Sequence, residues 1–398
     1  MSVPRKDGKL LLTFAWALTL TRTEFDNLTV AGDETGLLVP PPGEFTSAEK
    51  FFGLTGIRRT AIVEDLFEIV AGGRVLPTRV VLGWHERYEA LTVLVSVRIA
   101  ETVVTADEID LTIAVLQSFQ GRPGGNGDGE VHGRFRGERY ASARDALSAA
   151  MTAVNHGPQI ELVRYGWCAE LRAHHGGPAA ATARGLAKPL YGLAEADEGW
   201  RFVNEEWAAT RLGQHWGSRD FFAIYATDNG ALCINNKGGD YVEHQRAYTQ
   251  RHRGRVEPFF ELDSATAGLD HGVLFFVERV LMQLARADQW LRQARQVMPG
   301  KPRRVLITSG QSLRRSLNDV VRLLDLLVPP EIGALERKLE SSMGLERLIN
   351  RLDRQAEAID EESRHVYQVR MNFLIAILTF VTILLAVLQV VVPLVTGK

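Results

Sequence analysis

The chain has 398 residues, room for two or three domains, and a formal net charge of −2. That balance argues against a general nucleic-acid binder, and no such partner is expected. Two cysteines, Cys168 and Cys233, exclude a disulfide framework; their apolar, strand-like surroundings make them buried thiols of a reducing compartment.

The N-terminus begins with basic residues and then an apolar run, as a signal peptide does. Its larger apolar residues alternate (Leu12, Phe14, Trp16, Leu18, Leu20), and Arg-Thr-Glu-Phe follows in place of a cleavage site. We read a first β-strand, half-buried. The region to about residue 120 reads as strands. Leu91, Val93, Val95, Val97 and Ile99 alternate, and Ile109–Ile113 is expected to continue in kind. Residues 121–137 are rich in glycine. They lack both GxGxxG and GxxxxGK[ST], so a solvent loop is expected rather than a phosphate cradle.

A short helix is expected over 142–156 and a strand over 160–173. A hairpin follows, with strands over 221–227 and 231–235 joined through Asp228-Asn229-Gly230; Asn-Gly tolerates positive φ. Arg246, Arg251, Arg253 and Arg255 then surround Tyr248. This basic cluster is the candidate ligand-binding site, suited to an anionic small ligand, a nucleotide or a lipid headgroup; a solvated basic loop is the plainer reading.

From Asp263 the apolar period becomes helical: Leu274, Val277, Leu281, Leu284 and Leu291 recur through Gln296. A last helix is expected from Glu331, with Leu345, Leu352, Ile359 and Val366 spaced by seven. Their companions Leu348, Gln355, Glu362 and Val369 are half apolar. The pattern is an imperfect coiled-coil seam, or a helix packing on its own neighbours.

Residues 371–395 carry no charged side chain. A bilayer core needs about 20 apolar residues in a helix. We therefore expect one C-terminal transmembrane helix, in contact with the lipid bilayer. Arg364 and Arg370 precede it and Lys398 follows, which places the N-terminal bulk in the cytoplasm and the protein in the inner membrane as a single-pass, tail-anchored chain. Asn372, Thr379, Thr382 and Gln389 are the polar residues that would face a pore if several copies assembled.

The expected fold is an α+β cytosolic region (1–262, with a subdomain split near 121–140), a helical bundle and stalk (263–370), and the transmembrane helix (371–395). The stretch LERLINRLDRQAEAIDEESRHVYQVRMNFLIAILTFVTILLAV, Leu345 to Val387, resembles the stalk and membrane helix of CorA-like cation transporters. The family also has a second span and a Gly-Met-Asn signature, and Arg370-Met371-Asn372 does not match it. The resemblance therefore implies a funnel-like homo-oligomer with one helix per subunit, and not magnesium transport.

No HExxH, GxSxG, CxxC or phosphate-loop pattern occurs. No catalytic residue, metal site or cofactor is assigned. The functional expectation is a membrane-anchored sensor or effector that binds a ligand or partner and oligomerises, as a channel in bacterial stress or defence by analogy. The alternatives are a tail-anchored enzyme or a scaffold that recruits a cytosolic protein partner.

Overall fold

The structure, a computed structural model, describes residues 6–39, 57–86, 88–100, 103–122, 131–155, 164–173, 178–216, 222–236, 272–296, 308, 311–312, 315 and 330–396. It is an α+β region with mixed sheets, followed by helices and ending in a long apolar helix. The chain divides into two compact units. One comprises residues 1–286 and 326–346; the other comprises 287–325 and 347–398.

The first part runs β1 (Lys6–Thr19), α1 (Arg22–Glu34), β2 (Leu38–Val39), β3 (Ile57–Ile62), β4 (Phe67–Ala71), β5 (Arg74–Leu76), β6 (Thr78–His85) and β7 (Ala90–Ala100). Then come β8 (Val103–Val104), α2 (Ala106–Phe119), β9 (Val131–Phe135), β10 (Glu138–Tyr140), α3 (Ala143–Asn155) and β11 (Arg164–Ala173). Helices α4 (Ala179–Arg184), α5 (Ala187–Glu195) and α6 (Glu205–Leu212) precede the hairpin β12 (Phe222–Thr227) and β13 (Gly230–Asn235). Three helices complete the chain: α7 (Gly272–Gln296), α8 (Pro330–Ser342) and α9 (Leu345–Thr396).

The main sheet has the order β12-β13-β11-β1-β7-β6-β3-β2, with β8 also on β1. Its pairings are antiparallel except β11 with β13. The expected first strand is thus β1, held between β7 and β11 near the centre of the sheet, but it is buried on both faces over Leu10–Ala17 rather than half-buried. A smaller antiparallel sheet has the order β10-β9-β4-β5.

Pleating sends alternate side chains to opposite faces. On one face Phe14 lies opposite Val95 and Trp16 opposite Val93. There the Phe119 ring of α2 lies tilted at 4.6 Å from Phe14, and Phe25 of α1 lies 5.3 Å from Trp84. On the other face small residues recur beside Val81 and Leu94: Ala15 and Gly166 are opposite each other, as are Ala17 and Thr92, and Gly83 and Thr92. A Cβ at Gly166 would stand 2.9 Å from Val277 of α7 and 3.0 Å from Met343, just after α8. Helices therefore cover both faces, and the small residues are what allow α7 and α8 so close to the backbone.

Four local expectations change. Ile109–Ile113 is part of α2, and α1 also lies in the region read as strands. Both helices open with a capping box, Thr21 with Glu24 and Thr105 with Glu108. Five apolar-alternating residues were too short a window, because Ile109, Thr112, Ile113, Leu116 and Phe119 are buried at helical spacing. Within the glycine-rich segment, Val131–Phe135 is a strand, and Arg136 and Gly137 form a two-residue turn at φ 53° and 79°. The β12–β13 hairpin is present, but neither Asn229 nor Gly230 takes positive φ. Gly230 is needed for space, since a Cβ there would sit 1.8 Å from the Trp167 carbonyl oxygen. Last, the helix expected to run unbroken from Glu331 is two helices. Gly344 at φ 82° ends α8, and its N–H donates to the Ser341 carbonyl at 3.1 Å.

The helix expected over 142–156 is α3, and Cys168 and Cys233 are buried free thiols. Burial first, then the Glu170 charge, raises the Cys168 thiol pKa, which makes it a poor nucleophile.

Gly230→Ala is expected to lower the stability of the α+β unit by about 3 kcal/mol through this backbone clash. Denaturant unfolding of the full chain in detergent checks it, and a loss no larger than that of Gly73→Ala, at an open turn, would refute the close-approach account.

Candidate functional site

At one end of the small-residue face the strands change character. Register places Arg79 opposite Ser96, Leu11 opposite both Arg98 and Glu170, and Lys9 opposite Arg172. A cleft of about 270 Å³ is lined by Leu11, Glu64, Asp65, Pro77, Thr78, Arg79, Ser96, Val97 and Arg98. A neighbouring cleft of about 290 Å³ shares Pro77 and Arg98 and adds Arg74 and Glu108. Several of these groups are engaged locally. Arg79 pairs with Glu64, Ser96 hydrogen-bonds Thr13 at 3.1 Å, and Glu108 caps α2 at the Thr105 N–H at 3.0 Å. Beside them Glu170 receives Arg172 at 3.0 Å and Asn235 at 2.9 Å. Guanidinium groups converging on a cleft suit a carboxylate or phosphate, which they bind in bidentate fashion.

Where α7 covers the face, charge is buried outright. Residues 274–285 of α7 are buried on every side. A helix with such surroundings should be apolar throughout, yet it contains Glu278, Arg279 and Gln283. Glu278 is fully buried and accepts two bonds from Arg59 of β3, at 3.1 and 2.8 Å. It also accepts from the Thr92 hydroxyl. Gly83 makes this possible, because a Cβ there would lie 2.7 Å from Arg59 Nη1 and 3.3 Å from Glu278 Oε1.

The next residue, Arg279, faces α8, with its Nε 3.0 Å from Glu336 Oε1. The contact is close but not aligned as a hydrogen bond at that oxygen. Glu340, one turn further along α8, is also buried. Desolvation raises the Glu336 pKa against the pull of Arg279 and Arg337. Desolvation, then Glu336, pushes Glu340 up to about 8. Gln283 is buried one turn along α7 from Arg279, and neither of its amide atoms has a hydrogen-bond partner among the described residues. The sequence did carry a signal for this layer: the adjacent Glu278-Arg279 interrupting the run LFFVERVLMQLA.

The third feature is α9. Leu345, Leu348, Leu352, Ala356 and Ile359 are buried. From Met371 to Leu388 the helix is bare on all sides; Phe373 is 66% exposed and Leu378 is 72% exposed. It is long and apolar enough to cross a membrane and fits a single-pass membrane protein. Asn372, Thr379 and Thr382 lie on this exposed part. The two hydroxyls donate to their own helix, at the Ile375 and Leu378 carbonyls, both at 2.8 Å. The Gln389 side chain lies outside the described residues, as do Arg246, Arg251, Arg253 and Arg255. Among the described residues no His, Cys, Asp and Glu set could hold a metal ion. His85, which Glu86 follows in the chain, is a buried residue packed edge-on at 4.6 Å from Tyr88.

No family model, no curated protein and no solved structure matches this chain. The site is therefore read from its own geometry.

Arg59→Met is expected to cost about 3–5 kcal/mol, because it strands the Glu278 carboxylate in the interior. The double variant Arg59→Met/Glu278→Leu should recover most of that loss. Urea unfolding of the single and double variants measures both, and a double variant no better than the single one contradicts the stranded-charge account.

Proposed function

We propose that this chain is a membrane-anchored sensor or effector. Its α+β domain takes an anionic small ligand in the Arg79–Arg98 cleft, and α9 carries the response to the bilayer. The observation that supports this most is α9 itself. One uninterrupted helix, 52 residues long, passes from a one-sided buried seam to complete apolar exposure. A helix serving only as a tether has no need of that continuity.

Several features favour particular parts of the reading. The charges Arg364 and Arg370 before the apolar segment favour a cytoplasmic domain and an inner-membrane location. The seam at Leu345, Leu348, Leu352 and Ile359 is covered within the single chain, so association is assigned to the bare membrane segment. There Asn372 and Gln389 are the polar residues left to meet between copies, since both threonine hydroxyls are bonded within their helix. A ring of such helices would make a narrow polar path.

Full-length protein is expected to float with phospholipid vesicles in a density gradient, and a chain ending before Met371 to stay at the bottom. In detergent it should run as a homo-oligomer, and Asn372→Leu/Gln389→Leu should abolish any vesicle ion leak. A strict monomer sinks the pore part of the reading. Millimolar citrate or inorganic phosphate should raise the melting temperature of the wild type more than that of Arg98→Ala. Equal shifts would remove the cleft as the ligand site.

A further inference from the structure

Helix α8 has Glu336 and Glu340 one turn apart, and both are buried, at 3% and 6% exposure. Side chains so spaced share a helix face about 5–6 Å apart. The cation beside them in the interior, among the described residues, is Arg279 of α7, itself fully buried. Arg337, which also acts on both carboxylates, is exposed. The other groups in reach among the described residues add no compensation. Glu346 at the start of α9 is a further negative charge, and it accepts from the Ser341 hydroxyl at 3.2 Å. Strands β12 and β13, on which α8 packs, carry only Tyr225 and Cys233 as titratable side chains. Further along α7, Arg286 is committed to Glu89 at 2.7 Å. Two buried carboxylates thus face one buried guanidinium, with Glu340 Oε1 and both Gln283 amide atoms unbonded among the described residues.

We propose that Glu336 and Glu340 hold one proton between them, that this proton locks α8 against α7, and that its loss releases α8. With the proton present the buried cluster is neutral: one carboxylate, one guanidinium and one carboxylic acid. Without it a negative charge is left in a low-dielectric layer, and α8 leaves to solvate it. Gly344 joins α8 directly to α9, so release is felt at the start of the candidate membrane helix. The inference does not depend on the membrane reading, because the proton site lies wholly within the α+β unit.

The direction with pH follows from linkage. The carboxyl holds its proton up to about 8 when buried and up to 4.5 when not. The docked state therefore binds one more proton across that window. Docking is strongest below it and weakens as pH rises through it.

Hydrogen exchange of the amides of residues 333–342 tests this, on full-length protein in detergent between pH 5 and 9. Protection factors, corrected for the intrinsic effect of pH on exchange, should fall by about tenfold per pH unit in the window and level off above it. Protection of β1 and β7 should stay constant. Glu340→Gln, a neutral isostere of the protonated side chain, should hold α8 protected at pH 9. Glu336→Gln should also flatten the profile, since Arg279 then compensates the remaining carboxylate. A pH-independent wild-type profile overturns the proposal, as does an unchanged slope in both variants. So does recovery of protection at pH 9 on adding magnesium or calcium, which would make this a metal site.

Discussion

The bidentate ion pair between Arg59 and Glu278 is the constraint around which the covered face of the sheet is arranged. The two residues lie 219 positions apart and both are excluded from water. A buried pair of this kind adds little net stability over an apolar pair of equal volume. What it adds is position. A guanidinium fork meets a carboxylate squarely at one place on a helix, so α7 is fixed in both rotation and register on β3 and β6. The small residues around it follow from that. Gly83 leaves room for the fork, and Gly166 does the same for Val277 and Met343.

Fixing Glu278 inward toward the sheet turns its neighbour Arg279 toward α8. Successive helical residues lie about 100° apart, so one residue faces the strands and the next faces the adjoining helix. The interior charge is thereby continued from β3 through α7 to α8. The contacts among these described residues differ in kind. Arg59 and Glu278 share two good hydrogen bonds, Arg279 and Glu336 a close but misaligned contact, and Glu340 Oε1 has no hydrogen-bond partner among the described residues.

The chain thus has two kinds of long helix. α7 is buried on all sides for three turns and tolerates charge only where a partner is built in. α9 is uncharged from Met371 and bare over residues 371–388, which is what a lipid environment asks for. Composition separates them. The apolar run of α7 is broken by Glu278-Arg279, whereas residues 371–395 have no such break.

By itself the sequence determined whatever depends on near neighbours in the chain. The alternation at Leu12–Leu18 set β1, the apolar period from Leu274 to Leu291 set α7, and the charge-free residues 371–395 marked the candidate membrane helix, because each property recurs within a few residues. The tertiary structure decided what depends on distant partners. Ile109–Ile113 alternates like a strand, yet it packs as α2 because its capping box and the aromatic face of β1 favour a helix there. Gly230 looked like a turn glycine and proves to be a spacer beneath the Trp167 carbonyl. Of the polar layer of Arg59, Glu278, Arg279, Glu336 and Glu340, only the Glu278-Arg279 interruption shows in the chain, and its partners do not. A buried charge is tolerable only beside its counter-charge, and the folded sheet alone brings those residues together.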